Sequence, residues 1–304
     1  MYSLSTCWNS HRHADGRSML REIRDLGFRH AELSHGIRAG LVPGILEAVD
    51  AGEIKISSLH NFCPLPLGVN HAAPNLYEFS DERPRERELA VKHTLKTFDF
   101  AVRVGAPLVV LHLGRIEMKD YTGKLGAMLE REGTRTPKYE KLRAAAVKAR
   151  DTKKAKPFER TLRALRQLLP EAEKRGLKLG CENRQAIEEL PAEDDFRFLF
   201  QELSSAGLCY WHDTGHGQIK ENLGILHVAT HLKSLRDRLA GFHVHDVEFP
   251  IRDHAAPGTG GIDFAALKPF IQPSHAKVFE LSPSLKTDAV HAAVAHVKAT
   301  WGSE

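Results

Sequence analysis

Four times in this 304-residue chain a helical pattern stops at a glycine and a short β-rich run follows at once: "LGFRHAEL", "VGAPLVVLHLG", "RGLKLGCEN" and "AGLCYWHD". Gly27, Gly105, Gly176 and Gly207 read there as helix C-caps, where the left-handed conformation open to glycine ends a helix. Adding "YSLST", "IKISSLH", "LAGFHVHD" and "AKVFELS" gives eight strand candidates, separated by helix-length segments such as "RSMLREIRDL". Eight such alternations predict an α/β protein, a closed parallel (β/α)8 TIM barrel. No linker or longer repeat interrupts the pattern, so one domain is expected over residues 1–304. The stretch from Arg115 to about Ala155 exceeds a normal connection and reads as an extended basic helical insertion after the fourth strand, near the barrel mouth. In "PFERTLRALRQLL", Phe158, Leu162, Leu165 and Leu169 recur at helical spacing as a core stripe, starting at Pro157 and expected to kink or restart at Pro170.

Composition narrows the class. With 42% hydrophobic and 27% charged residues the chain can bury a large core. It has no long uncharged apolar run of the kind a membrane span needs, and "MYSLSTCWNSHRHADG" lacks the basic and apolar regions of a signal peptide, so the expected location is the cytoplasm. Cys7, Cys63, Cys181 and Cys209 are scattered without CxxC spacing and read as small buried hydrophobes rather than a disulfide framework or zinc-thiolate site. Residues 135–175 hold 14 Lys or Arg against 5 Asp or Glu, a local balance of +9 within a chain of net +4. No aromatic residues interleave with these charges as in a nucleic-acid groove, so a solvated helical face is expected and nucleic acid is not the expected partner.

The strand assignment places His60, His112, Glu182, Asp213, His243 and Glu280 at strand C-terminal ends, the end at which barrels carry active sites. The densest stretch, "CYWHDTGHGQ" at 209–218, delivers Asp213 at the end of a strand with His216 three residues on. Inward carboxylates from the fifth, sixth and eighth strands repel one another in a low-dielectric interior, and one divalent cation, accepting oxygen and imidazole ligands, relieves that cost. Glu182, Asp213, His243 and Glu280 are therefore the expected ligands of one metal ion, manganese, magnesium or zinc.

The ordered set "CENR", "HDTGH", "FHVHD", "DHAAPGTGGID" and "FELSP" resembles the xylose isomerase-like barrel superfamily of sugar isomerases, epimerases and endonuclease IV. In the ketose epimerase branch the matching Glu, Asp, His and Glu hold one divalent metal, and the two glutamates exchange protons with substrate. The resemblance thus implies catalytic roles for Glu182 and Glu280, and a substrate contact for His216. The endonuclease branch resembles the chain at His60, His112, His216 and His254 as well, where equivalent histidines hold further zinc ions. The departure is Arg252, standing where that branch has an aspartate ligand; a cation there disfavours a third metal. His60, His112 and His254 are then expected to face sugar hydroxyls.

Other residues carry two readings each. Arg184 suits a clamp on a hydroxyl, carboxylate or phosphate, or a structural salt bridge, and is taken as substrate-binding. The "GTGG" loop, Gly258 to Gly261, suits phosphate on its amides or a plain turn before a helix capped by Asp263, with the turn preferred. Glu32 reads as a pocket or buried structural carboxylate, Asp246 as the orienter of a histidine. His11, His13, His291 and His296 are assigned to solvent. The chemistry expected is metal-dependent isomerisation or epimerisation of a small carbohydrate by proton transfer next to a carbonyl, with dehydration or elimination of a keto-sugar as a close relative. An endonuclease IV-like multi-zinc phosphodiesterase and a non-catalytic sugar-binding barrel are the alternatives. A homo-oligomer is compatible with all three.

Overall fold

A computed structural model describes residues 1–303. Its elements are β1 (Tyr2–Ser5), α1 (Gly16–Asp25), β2 (His30–Leu33), α2 (Val42–Asp50), β3 (Lys55–His60), α3 (Pro84–Arg103), β4 (Leu108–Leu111), α4 (Thr122–Glu132), α5 (Pro137–Lys153), α6 (Ala155–Lys174), β5 (Lys178–Glu182), α7 (Glu193–Glu202), β6 (Leu208–Asp213), α8 (Thr214–Asn222), α9 (Val228–Leu235), β7 (Leu239–Val244), β8 (Asp246–Glu248), β9 (Arg252–Ala255), α10 (Phe264–Leu267), β10 (Ala276–Phe279) and α11 (Thr287–Trp301). Strands β1 to β7 and β10 close into a parallel barrel, and β8 and β9 form a separate antiparallel hairpin. The barrel is the expected TIM fold.

The local chemistry follows the sequence closely in most places. Asp15 caps α1 by accepting the Ser18 N–H, and Met19, Leu20 and Ile23 turn its apolar stripe into the core. Gly27, Gly105 and Gly176 take φ of +89°, +70° and +68° just past their helices. Gly207 does not act as a cap. Helix α7 ends five residues earlier, and the turn is made by Ser205, whose hydroxyl accepts the Gly207 N–H at 2.9 Å. Pro170 also departs from expectation, since α6 runs through it to Lys174. The proline costs one backbone hydrogen bond, and burial of Leu165, Leu168, Leu169 and Ala172 on the barrel outweighs it.

Between β4 and β5, α4 and α5 precede the barrel helix α6 and pack Leu125, Leu129 and Tyr139 against Ile187, Ile219 and Val247. One of the basic residues here is far from solvated. Arg150 is buried and donates to the carbonyls of Ile187 and Glu189 at 2.6 and 2.7 Å and to Asp195 at 2.7 Å, fixing the loop after β5.

The N-terminal half of the barrel interior is closed by Leu108, Val110, Cys209, Trp211, Ala276 and Val278. Trp211 is fully buried, and Gly241 on the neighbouring strand makes room for it: a Cβ at 241 would lie 2.4 Å from the indole. With that end filled, polar groups of the barrel collect at the opposite, C-terminal end. Among the described residues no helix is long and apolar enough to cross a membrane.

Candidate metal centre

Asp213 and His243 sit side by side in register on β6 and β7, and Glu182 ends β5. Glu280 follows β10 directly. One ligand atom from each of these four buried residues lies within 4.8 Å of the other three. That spread suits a single ion, because ligands about 2.0–2.3 Å from a cation stand no more than roughly 4.6 Å apart. His243 Nδ1 is 3.1 Å from Glu280 Oε2, 3.2 Å from Glu182 Oε1 and 3.9 Å from Asp213 Oδ2. Behind it, His243 Nε2 lies 3.1 and 3.2 Å from the two oxygens of fully buried Glu32, which also accepts the Ser58 hydroxyl at 2.8 Å. A carboxylate only accepts, so this contact fixes the Nε2–H tautomer and leaves Nδ1 as the donor atom for a metal. Glu32 is thus the carboxylate beneath a candidate ligand, a role the sequence left open.

The other sequence-assigned residues converge on the same cavity. His60 and His112 donate from Nδ1 to Asn61 O and Asn75 Oδ1, both at 2.9 Å, and turn Nε2 toward Glu182 Oε2 at 3.3 and 2.9 Å. His216 donates from Nδ1 to Asn183 O at 2.9 Å, leaving Nε2 facing Asp253. Arg184 binds Glu189 through Nε and Nη2 at 3.2 and 2.9 Å, and its Nη1 contacts His112 Nε2 and lies 3.5 Å from Glu182. His254 stacks on His245 with ring centroids 4.3 Å apart, and its Nε2 is 3.9 Å from Glu280.

The electrostatics describe a site short of positive charge. Burial disfavours the imidazolium of His243, yet Glu280, Glu32 and Glu182 outweigh it and hold the group well above its ordinary value. Burial likewise opposes charge on His254, and Asp253 and Glu280 raise it to about 9. His112 is held well below, by burial and by the Arg184 guanidinium. Burial raises Glu182, and His112 and His243 reverse that and keep it ionised. A field that draws protons onto buried imidazoles draws a divalent cation for the same reason.

Four contributors escaped the sequence reading. His245 donates from Nε2 to Asp213 Oδ2 at 2.9 Å, its Nδ1 accepting the His254 N–H at 2.9 Å. Its parity with His243, two residues apart on one strand line, was the available signal. Asn183 clasps the Asp213 backbone, accepting its N–H at 2.7 Å and donating to its carbonyl at 3.0 Å. Glu189 holds Arg184, and Asp253 supplies a carboxylate at the mouth. Asp246 orients no histidine by its side chain. Its carboxylate instead accepts the N–H groups of Gly258, Gly260 and Ile262 at 2.9, 3.0 and 3.0 Å, so the amides of the "GTGG" loop are already taken. Asp263 caps the following helix as expected. Arg252 is 78% exposed and pairs with Glu248, outside the cavity. Of the histidines assigned to solvent, His13 binds Glu22 at 2.7 Å and His11 lines the cavity rim.

The family profile described as xylose isomerase-like TIM barrel matches residues 20–276. The chain belongs to that family. No curated protein sequence matches it significantly. Among solved structures it resembles a D-tagatose 3-epimerase-like protein (17% identity, TM-score 0.69, 98% of this chain and 96% of that one). It also resembles the 3-keto-D-glucoside 4-epimerase YcjR of E. coli (15%, 0.68, 98% of each chain). The D-psicose 3-epimerase of Clostridium cellulolyticum H10 superposes as well (11%, 0.67, 99% of each). At such identities these likenesses establish the barrel for this family member and leave its chemistry to its own residues.

Proposed function

We propose that this xylose isomerase-like barrel is a divalent-metal-dependent sugar isomerase or epimerase that moves a proton next to a carbonyl. The observation that carries the reading is the convergence of Glu182, Asp213, His243 and Glu280 on one point at the barrel mouth. The solved sugar epimerases that it resembles support the same class. When bound there, manganese, magnesium or zinc would act as a Lewis acid on carbonyl and adjoining hydroxyl oxygens and acidify the C–H between them. Glu182 and Glu280 come from strands on different sides of the cluster, which gives one carboxylate for removal of the proton and a second for its return. His60, His112 and His216 offer ring nitrogens to sugar hydroxyls, and Arg184 closes the side facing Glu182. A cytoplasmic location and self-association fit this reading.

The test is solvent deuterium incorporation into ketoses and keto-glycosides with added manganese. Glu280→Gln should largely abolish exchange at saturating metal, and near wild-type exchange would refute the two-carboxylate mechanism. Product analysis separates epimerisation from dehydration or elimination of a keto-sugar. One observation favours a second reading, an endonuclease IV-like multi-zinc phosphodiesterase: His60, His112 and Glu182 form a further cluster of ligand atoms. Two or three zinc equivalents retained through gel filtration, with cleavage of abasic DNA, would establish that alternative.

A further inference from the structure

The cavity above the metal centre has a volume of about 680 Å³. A hexose closely packed takes roughly 180 Å³, and at about 30 Å³ per water what remains would hold more than a dozen waters. The proton-moving and ligand residues come from β5 to β7 and from Glu280 after β10, whereas the outer wall is built by the loops after β1, β2 and β3 with Ser10, His11, His35, Asn70 and His71. His35 marks the junction, its ring edge-on to that of His60 with centroids 4.7 Å apart. The loop carrying Asn70 and His71 is tied to the centre through Asn75, which receives the His112 Nδ1–H. This outer lobe is therefore fixed against the reacting position rather than separate from it.

Its lining points to what it takes. The cavity lining includes two guanidinium groups and no lysine. Arg38 donates from Nη2 to the carbonyls of Ser10 and His13 at 3.1 and 2.6 Å, and Arg184 is engaged by Glu189 and His112. The loop amides that would suit a phosphate are held by Asp246. Glu182, Asp253 and Glu280 put their negative charge on the metal-centre side of the cavity. Beside the one guanidinium of Arg38, whose Nη2 is given to two carbonyls, the outer lobe presents imidazole, amide and hydroxyl groups, the partners that sugar hydroxyls take.

We propose that the substrate is a two-unit carbohydrate, a glycoside or disaccharide whose reacting unit sits at the metal centre and whose second unit is held by Ser10, His11, His35, Asn70 and His71. This rests on the isomerase or epimerase reading and specifies its substrate. The test uses the full chain loaded with manganese, in deuterated water, and compares kcat/KM for proton exchange across matched probes. These are D-fructose, its 6-phosphate and the disaccharide isomaltulose, and 3-keto-D-glucose with its methyl glycoside and 3-ketotrehalose. The two-unit member of at least one series should exceed its free monosaccharide by about tenfold or more, the worth of one or two hydrogen bonds. An N70A/H71A variant, checked for an unchanged melting temperature, should bring that ratio toward one by raising KM for the two-unit substrate. A free monosaccharide or its phosphate used as well as the two-unit probes would overturn the proposal while leaving the isomerase reading intact. Absence of exchange with every probe would overturn both.

Discussion

Glu32→Gln tests the centre from beneath. The substitution keeps the shape of a side chain with no exposure, retains one acceptor oxygen for the His243 Nε2–H and for Ser58, and removes the negative charge together with the second acceptor. In the native chain both carboxylate oxygens sit within 3.2 Å of Nε2, so the ring is oriented and its other nitrogen made more basic. Loss of a carboxylate behind a metal-bound histidine weakens metal affinity by about 10- to 100-fold, or roughly 1.4–2.7 kcal/mol. The apo protein should respond less, because the cluster already holds more carboxylate than cation and the change relieves part of that excess.

Linkage turns this into a thermal signal. At free manganese equal to about 100 times the native Kd, binding stabilises the native chain by about 2.7 kcal/mol, and in the variant the same concentration supplies only about 0.4–1.4 kcal/mol. The metal-induced rise in Tm should shrink by several degrees, measured by differential scanning fluorimetry with and without manganese. Competition with a fluorescent chelator gives Kd directly. An unchanged Kd and an undiminished thermal increment would show that His243 is not a ligand through Nδ1, and the assignment of the centre would fail.

Gly241→Ala places a methyl 2.4 Å from Trp211 and should cost about 1–3 kcal/mol or more; a urea midpoint within error of wild type would show that the indole shifts freely. Burial holds His212 at about 3 and His231 at about 4, so both stay neutral in the fold and take up protons only on unfolding. Their contribution is complete above about pH 6.5 and declines as pH falls toward 4, near 2 kcal/mol for each histidine between pH 6.5 and 5. Urea titrations at both pH values measure it, and His231→Gln should flatten the slope; a slope unaffected by that change would refute the assignment. Arg184→Gln should raise retained zinc from one equivalent to two by elemental analysis, and an unchanged stoichiometry would contradict the blocking role given to this guanidinium below.

The barrel was legible because its signals are local and repeated: a helix period, a glycine, a short apolar run. The centre was legible for a related reason, since strand ends in such a barrel converge and chemistry-bearing residues at six of them had nowhere else to point. Supporting residues were harder to read. Asn183, Glu189 and Asn75 act through hydrogen bonds to backbone or to a second side chain, and no periodicity distinguishes such an amide or carboxylate from a solvated one. Arg150 shows the converse. A basic run on a helix reads as solvent-facing, and only the tertiary placement of the loop after β5 turns one of its guanidinium groups into a buried clamp.

Arg252 shows how a single residue of register alters a chemical argument. On β9 it pairs opposite Glu248 and points to solvent, which by strand alternation turns Asp253 inward and His254 outward. His254, however, has φ of +57°, a left-handed conformation that breaks the alternation, and both residues line the cavity. The mouth therefore has a carboxylate in Asp253, and a lack of negative charge at that position does not limit the metal count. Another cation bears on one of the further ligand clusters. The further ligand cluster of His60, His112 and Glu182 is answered by Arg184, whose Nη1 bonds His112 Nε2 and stands 3.5 Å from Glu182 Oε2. A metal entering there would have to displace a buried guanidinium that Glu189 holds in place, leaving that carboxylate unpaired. At the four-residue centre three carboxylates face one imidazole, with Arg184 and His254 only at its edges, 3.5 Å from Glu182 and 3.9 Å from Glu280. The structure thus separates two ligand clusters that share Glu182 into one open to a divalent ion and one already filled by the protein's own charge.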